Sequence, residues 1–321
     1  MSGNSLRADP SILQSPAGLV AASAPPLLPR RRGRPRLHPV RDTAFGCARD
    51  FLDNRFVYLV VTPRVHGLLA CVNVAPDKRC NFDCVYCEVD RTTAPRETCV
   101  NLVVMAAELE RTLQFVQTGQ IRERPTFRAL PEELLKVGHV AIAGEGEPTL
   151  CPQLAEIVET VAHVRAQGSV PFFKLVLVTN ASLVDTDRVR AALRFFTHED
   201  DLWLKLDAGT QSWMDRINRT AAPVSLERVL ENILLIARQR PVVIQSMFPA
   251  INGEDPPASE IDQYARRLCE LRDAGAQIQL AQICSATRPS PRSPCGHLGL
   301  RALSRIAFYV HQATGLPVEI C

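Results

Sequence analysis

From residue 137 onward, short apolar runs alternate with longer amphipathic stretches, and this alternation is the strongest constraint on the fold. Strands are predicted at 137–143, 173–179, 202–206, 242–247 and 277–283, and helices at 153–166, 186–195, 226–237, 259–274 and 298–313. Each strand is followed by a helix, the pattern of a parallel sheet with right-handed crossovers. Two earlier strands, 56–61 and 68–74, precede a helix at 102–116 whose apolar stripe reads Val103, Leu109, Leu113 and Val116. Counting 68–74 as the first parallel strand gives six strand–helix units, fewer than the eight of a closed barrel. An α/β fold follows, as an open, partial barrel or a doubly wound sheet.

The net charge of +3 is uneven along the chain. Residues 1–43 carry seven arginines against Asp9 and Asp42, which leaves the remainder at −2. That segment is rich in Pro, Ser, Ala and Arg without periodicity and reads as a disordered tail. Within it Arg31-Arg32-Gly33-Arg34-Pro35-Arg36 resembles an AT-hook, a minor-groove DNA ligand, although a solvated basic tail is the plainer reading. Residues 44–70 read as an extension packed on a core of 71–321. No apolar run reaches the length of a membrane span, so a soluble protein is expected.

Eleven cysteines in a large, strand-rich chain with no signal peptide point to metal-bound thiolates in a reduced cytoplasm rather than to a disulfide framework. Cys80, Cys84 and Cys87 fall within eight residues, in a loop just after a strand. Iron–sulfur clusters are held by cysteine thiolates, and a closed [4Fe–4S] site takes four. Three leave one iron open, as catalysis requires. Structural zinc would need a fourth ligand from Cys71, Cys99 or His66 and lacks the usual paired C-x-x-C arrangement. Cys269, Cys284, Cys295 and Cys321 are widely spaced and read as buried or incidental thiols.

The C-x-x-x-C-x-x-C spacing, with Tyr86 directly before the last cysteine, resembles the signature of the radical SAM superfamily. That resemblance implies a partial (β/α)6 barrel of TIM type and a [4Fe–4S] cluster on Cys80, Cys84 and Cys87. It further implies S-adenosylmethionine chelated at the open iron and cleaved reductively to a 5′-deoxyadenosyl radical. The segment 143–150, Ala-Gly-Glu-Gly-Glu-Pro-Thr-Leu, is similar to the family's Gly-Gly-Glu element, which makes Glu145, Gly146 and Glu147 ligands of the methionyl ammonium; glutamate stands where the family has its first glycine. Asn180 ends the third strand near the expected adenosyl position, and Ala181 replaces the glycine that follows it in the family. Period-two alternation puts Trp203, Lys205 and Asp207 on one face of the fourth strand and the leucines between them on the other. Tyr86, Lys205 and Asp207 are accordingly assigned to the cofactor, with internal ion pairing as the plainer role of the last two. Gln245, Gln282 and Arg288 fall at the same mouth of the barrel, the glutamines with their facing open.

Among radical SAM branches the chain most resembles the group containing the wyosine-forming tRNA enzymes. Gly146–Leu150, Lys205–Ala208, Ile217-Asn218-Arg219, Ile244–Phe248 and Arg288-Pro289 carry that likeness, over about 70–319. It implies an external one-electron donor and makes tRNA a lead for the substrate, which the acidic folded part does not itself support. The rival of another class is a non-catalytic, nucleic-acid-binding iron–sulfur protein gripping DNA through the tail.

Overall fold

The computed structural model describes residues 49–220, 224–288, 290 and 295–321; the arginine-rich tail and its AT-hook-like segment lie outside the described residues. β1 (Val57–Thr62) and β2 (Gly67–Asn73) form an antiparallel hairpin through the turn Pro63–Val65, where Arg64 N donates to Thr62 Oγ1 at 3.4 Å. After the cysteine loop come α1 (Leu102–Gln117), the single turn α2 (Pro125–Arg128), β3 (Val137–Ala143), α3 (Leu154–Ala166), β4 (Lys174–Thr179) and α4 (Asp187–Leu193). Then follow β5 (Asp201–Lys205), α5 (Gln211–Ile217), α6 (Leu226–Ala237), β6 (Val242–Met247), β7 (Ala250–Ile251) and α7 (Ala258–Asp273). The chain ends with β8 (Ile278–Cys284), β9 (Cys295–Gly296), α8 (Leu300–Thr314) and β10 (Val318–Ile320).

The main sheet has the order β1-β2-β3-β4-β5-β6-β8-β10, parallel throughout except for β1. The six parallel strands of the sequence reading are β2, β3, β4, β5, β6 and β8, and their monotonic order makes the sheet a partial barrel rather than a doubly wound sheet. β10, three residues long, and the short helix α5 carry too little periodicity to be read in advance.

Side chains alternate across the strands as the pleat demands. Leu202, Leu204 and Leu206 join the large core under the helices, while Trp203 packs with Tyr58, Leu69, Cys71, Val176 and Val243 on the inner face. Lys205, Gln245, Gln282 and Glu319 form a polar row across β5, β6, β8 and β10 on that inner face. The curled sheet is laced where its edges approach. Gln282 Nε2 donates to the Arg64 carbonyl at 3.3 Å, and His66 Nε2 lies 3.7 Å from Glu319 Oε2.

Two expectations are corrected. Val103 is 80% exposed, and the buried face of α1 runs through Met105, Glu108, Leu109, Thr112 and Leu113, which the i, i+3, i+4 spacing unites. Cys284 and Cys321 are joined in a disulfide, not separate thiols, because β10 beside β8 brings their Cα atoms to 4.8 Å.

Candidate active site at the cysteine loop

The loop bearing Cys80, Cys84 and Cys87 crosses the C-terminal ends of the parallel strands, and neighbouring segments pin it from both sides. On one side Glu147 N donates to the Arg79 carbonyl at 2.9 Å. Gly146 is what allows this approach: a Cβ there would lie 2.0 Å from Arg79 O and 2.9 Å from the Ala75 Cβ. On the other, Asp83 N and Val85 N donate to the carbonyls of Asn218 (3.0 Å) and Ile217 (2.8 Å) at the end of α5. All three cysteines are half-buried and free. Among the described residues no three His, Cys, Asp or Glu side chains converge closely enough to hold a single metal ion.

Burial beside Glu147 pushes the Cys80 thiol up to about 12, and burial raises Cys84 as well. Phe82 N donates to Cys80 Sγ and Asn218 Nδ2 to Cys84 Sγ, both at 3.4 Å, so donors stand ready to share thiolate charge. Asn218 is the centre of the site. Its Nδ2 also lies 2.7 Å from Asp207 Oδ2 and 3.3 Å from the Tyr86 hydroxyl, which itself donates to Asp207. The second Asp207 oxygen accepts Met247 N at 2.8 Å. Lys205 Nζ stands 3.6 Å from Asp207 and 4.6 Å above the Tyr86 ring. Tyr86, Lys205 and Asp207 are thus brought together, tying the cysteine loop to the end of β5. Burial, then the Asp207 charge, raises the Tyr86 phenol well above its ordinary range, so it stays a donor.

The three residues after β3 divide their roles. Glu147 is buried and its carboxylate is fully engaged: Oε1 accepts Thr149 N (3.1 Å), Thr149 Oγ1 (2.7 Å) and Thr179 Oγ1 (2.5 Å), and Oε2 accepts Asn180 N (2.9 Å). Glu145 is half-buried. Asn73, at the end of β2, donates to its Oε2 at 2.9 Å and accepts its backbone N–H at 3.1 Å, leaving Oε1 without a donor among the described residues. Asn180 donates to Asn81 Oδ1 at 2.8 Å and so reaches the cysteine loop. Ala181, in the position of the family's glycine, adopts φ +62°, and its carbonyl is held by Asn232 Nδ2 at 2.8 Å. Arg288 and Arg49 both bond to Glu88, next to Cys87.

Asn73, Asn218 and Glu88 are missing from the sequence reading. For Asn218 the signal was present, since Ile217-Asn218-Arg219 stood out as a motif, but nothing local shows that its side chain reaches back to Cys84.

Residues 76–259 match the family model described as the radical SAM superfamily, a span that begins just before Cys80 and ends at the start of α7. The chain belongs to the radical SAM superfamily. Membership makes it an enzyme of radical SAM type and implies S-adenosylmethionine and an iron–sulfur cluster.

A UPF0026 protein of Synechocystis sp. is 32% identical over 159 residues, 48% of this chain and 48% of that protein, so the match spans about half the length of the relative. A radical SAM methyltransferase from Sphaerobacter thermophilus shares the fold with a TM-score of 0.55 at 14% identity, covering 83% of this chain and 68% of that one. TYW1 with a lysine-pyruvate adduct bound gives 0.50 at 16% identity, over 81% and 85%. At such identities the likeness is one of fold. No helix among the described residues is long and apolar enough to cross a membrane.

Proposed function

We propose that this chain holds a [4Fe–4S] cluster on Cys80, Cys84 and Cys87, binds S-adenosylmethionine at the remaining iron, and directs the resulting radical at a substrate inside the barrel. The observation that carries this is three free thiols on one loop, pinned at the strand ends by Gly146 and Asn218, within the stretch that matches the family. When bound, the cluster and cofactor supply a 5′-deoxyadenosyl radical that abstracts a hydrogen atom.

The chain's own groups bind and orient. Asn218 and the Phe82 amide donate to cysteine sulfurs and share their negative charge. Glu145, held by Asn73 with one oxygen open, pairs with the methionyl ammonium; Glu147, already saturated, braces the turn from within. Lys205 and Asp207, with Tyr86 between them, line the cofactor's approach from β5. Asn180 fixes Asn81 and so shapes the cysteine loop on the adenosyl side of the site. An external one-electron donor is required, and the likeness to wyosine-forming enzymes makes tRNA the first substrate to test.

The test is direct. Anaerobically reconstituted protein, reduced with dithionite and given S-adenosylmethionine, should release 5′-deoxyadenosine. A fully loaded cluster that yields none favours the non-catalytic, nucleic-acid-binding rival, whose grip should then vanish on removal of residues 1–43. Cys84→Ala should abolish the cluster absorbance near roughly 400 nm while the fold persists, and Cys295→Ala should keep it. Equal loss in both would mean the ligands are misassigned.

A further inference from the structure

Asp207 and Asn218, which meet each other and Tyr86 beside Cys84, stand at the two ends of one short segment, the turn after β5 and the helix α5. α5 has seven residues and buries Trp213, Met214 and Ile217. Its far end gives the carbonyls of Ile217 and Asn218 to the Val85 and Asp83 amides of the cysteine loop. A rod of about 10 Å carries a shift at its start through to its end. Where α5 begins therefore decides where the cysteine loop rests.

That start is set from α7. Glu260 Oε1 accepts the amides of Gly209 (2.6 Å) and Thr210 (3.2 Å), and Oε2 accepts the Thr210 hydroxyl at 2.7 Å. The same hydroxyl accepts Trp213 N at 3.2 Å and so caps α5. Further along α7, at i+4 and i+7 from Glu260, the same stripe completes the seat. A Cβ on Gly209 would lie 2.1 Å from Tyr264 N, and Arg267 Nε donates to the Gly209 carbonyl at 3.1 Å. Gly209 is thus held at both polar groups with no room to slide. Glu260 itself is only 6% exposed, and among the described residues no lysine or arginine forms an ion pair with it. A buried carboxylate is costly, and the Thr210 side chain alone already caps the helix. What Glu260 adds is one rigid acceptor for three donors on two successive residues.

We propose that Glu260 is a positioning residue for the cluster: from α7 it fixes the start of α5, and α5 in turn holds the cysteine loop and keeps Asn218 at Cys84. It touches neither cluster nor cofactor and acts only through Thr210 and α5. The inference rests on the reading that Cys84 is a cluster ligand; the hold of Glu260 on the loop does not depend on it.

The experiment compares the full chain as wild type, Glu260→Ala and Glu260→Gln. Asp200→Asn, at the opposite end of β5, controls for lost stability alone. Before cluster loading, anaerobic alkylation with iodoacetamide is followed by peptide mass spectrometry. Glu260→Ala should label Cys84 about fivefold faster or more, relative to the exposed Cys99 of the same chain, because the loop opens locally. Asp200→Asn should keep the wild-type ratio. With the cluster loaded, the reduction potential of Glu260→Ala should move to more negative values, the direction expected when Asn218→Leu removes the donor at Cys84. Joining the two changes should shift it no further than Asn218→Leu alone, since both act through one contact. Glu260→Gln keeps an acceptor for the two amides and should fall between, and it carries the comparison if the alanine variant does not fold. The proposal is overturned if either the labelling ratio or the potential stays at its wild-type value, if Asp200→Asn raises the ratio equally, or if the two potential shifts add. Wild type that takes up no cluster would sink the radical reading and leave the labelling comparison to decide the role of Glu260.

Discussion

Thr179 donates its hydroxyl to Glu147 across 2.5 Å, joining the turn after β3 to the end of β4. Glu147→Ala would strand this hydroxyl together with the Thr149 donors and the Asn180 amide. We expect a loss of about 2–3 kcal/mol in urea denaturation, the cost of leaving buried donors unmet. Burial raises the Glu147 pKa despite those donors. A carboxyl raised on folding gives its full contribution below its unfolded pKa and loses it as pH rises through the folded value. The Glu147 contribution therefore shrinks from acid toward neutral pH, and Glu147→Gln should show a shallower decline over that window. An unchanged slope would refute the assignment.

Gly146 and Gly138 make a matched pair. Alanine at 146 drives a methyl into the Arg79 carbonyl, whereas nothing lies within 4 Å of a Cβ at 138. Gly146→Ala should displace the cysteine loop and cut cluster occupancy severalfold, read as iron per chain. Gly138→Ala should leave occupancy unchanged and stability within about 0.5 kcal/mol.

Asn218 sets the electrostatics of one cysteine. Hydrogen bonds to cluster sulfurs are among the determinants of reduction potential, because they stabilise the more negative state. Asn218→Leu removes the donor at Cys84, so the potential should move to more negative values in a redox titration followed by electron paramagnetic resonance. A positive shift would show that the Asn218 contact is not made to a ligand.

Away from the site, Asp200 is buried and accepts Arg165 at 2.6 and 3.3 Å, the Leu175 and Thr197 amides, each at 2.7 Å, and the Thr197 hydroxyl at 3.0 Å. Desolvation opposes its ionisation, but these donors prevail and its pKa is lowered. Stability from a lowered carboxyl is present above the unfolded pKa and is lost as pH falls through the folded value. Asp200→Asn should cost about 2–4 kcal/mol at neutral pH, with the gap to wild type closing only in strong acid.

The strands, their order along the chain and the inward facing of Trp203, Lys205 and Asp207 were legible because each depends on residues near in sequence. The cysteine triplet was legible for the same reason. What escaped is long-range. Thr179, thirty-two positions on, bonds the Glu147 carboxylate, a contact that no local pattern shows. Asn73 and Asn218 look like ordinary polar residues until folding sets them beside Glu145 and Cys84.

The lacing at Arg64 has a mechanical consequence. Where β1 and β10 face each other the wall is sewn by side chains, so its bore is set by a few stitches instead of a continuous weave. One stitch ends on the carbonyl of Arg64 in the turn between β1 and β2, the other on Glu319 in β10, so a change at either residue alters how far apart the two edges stand.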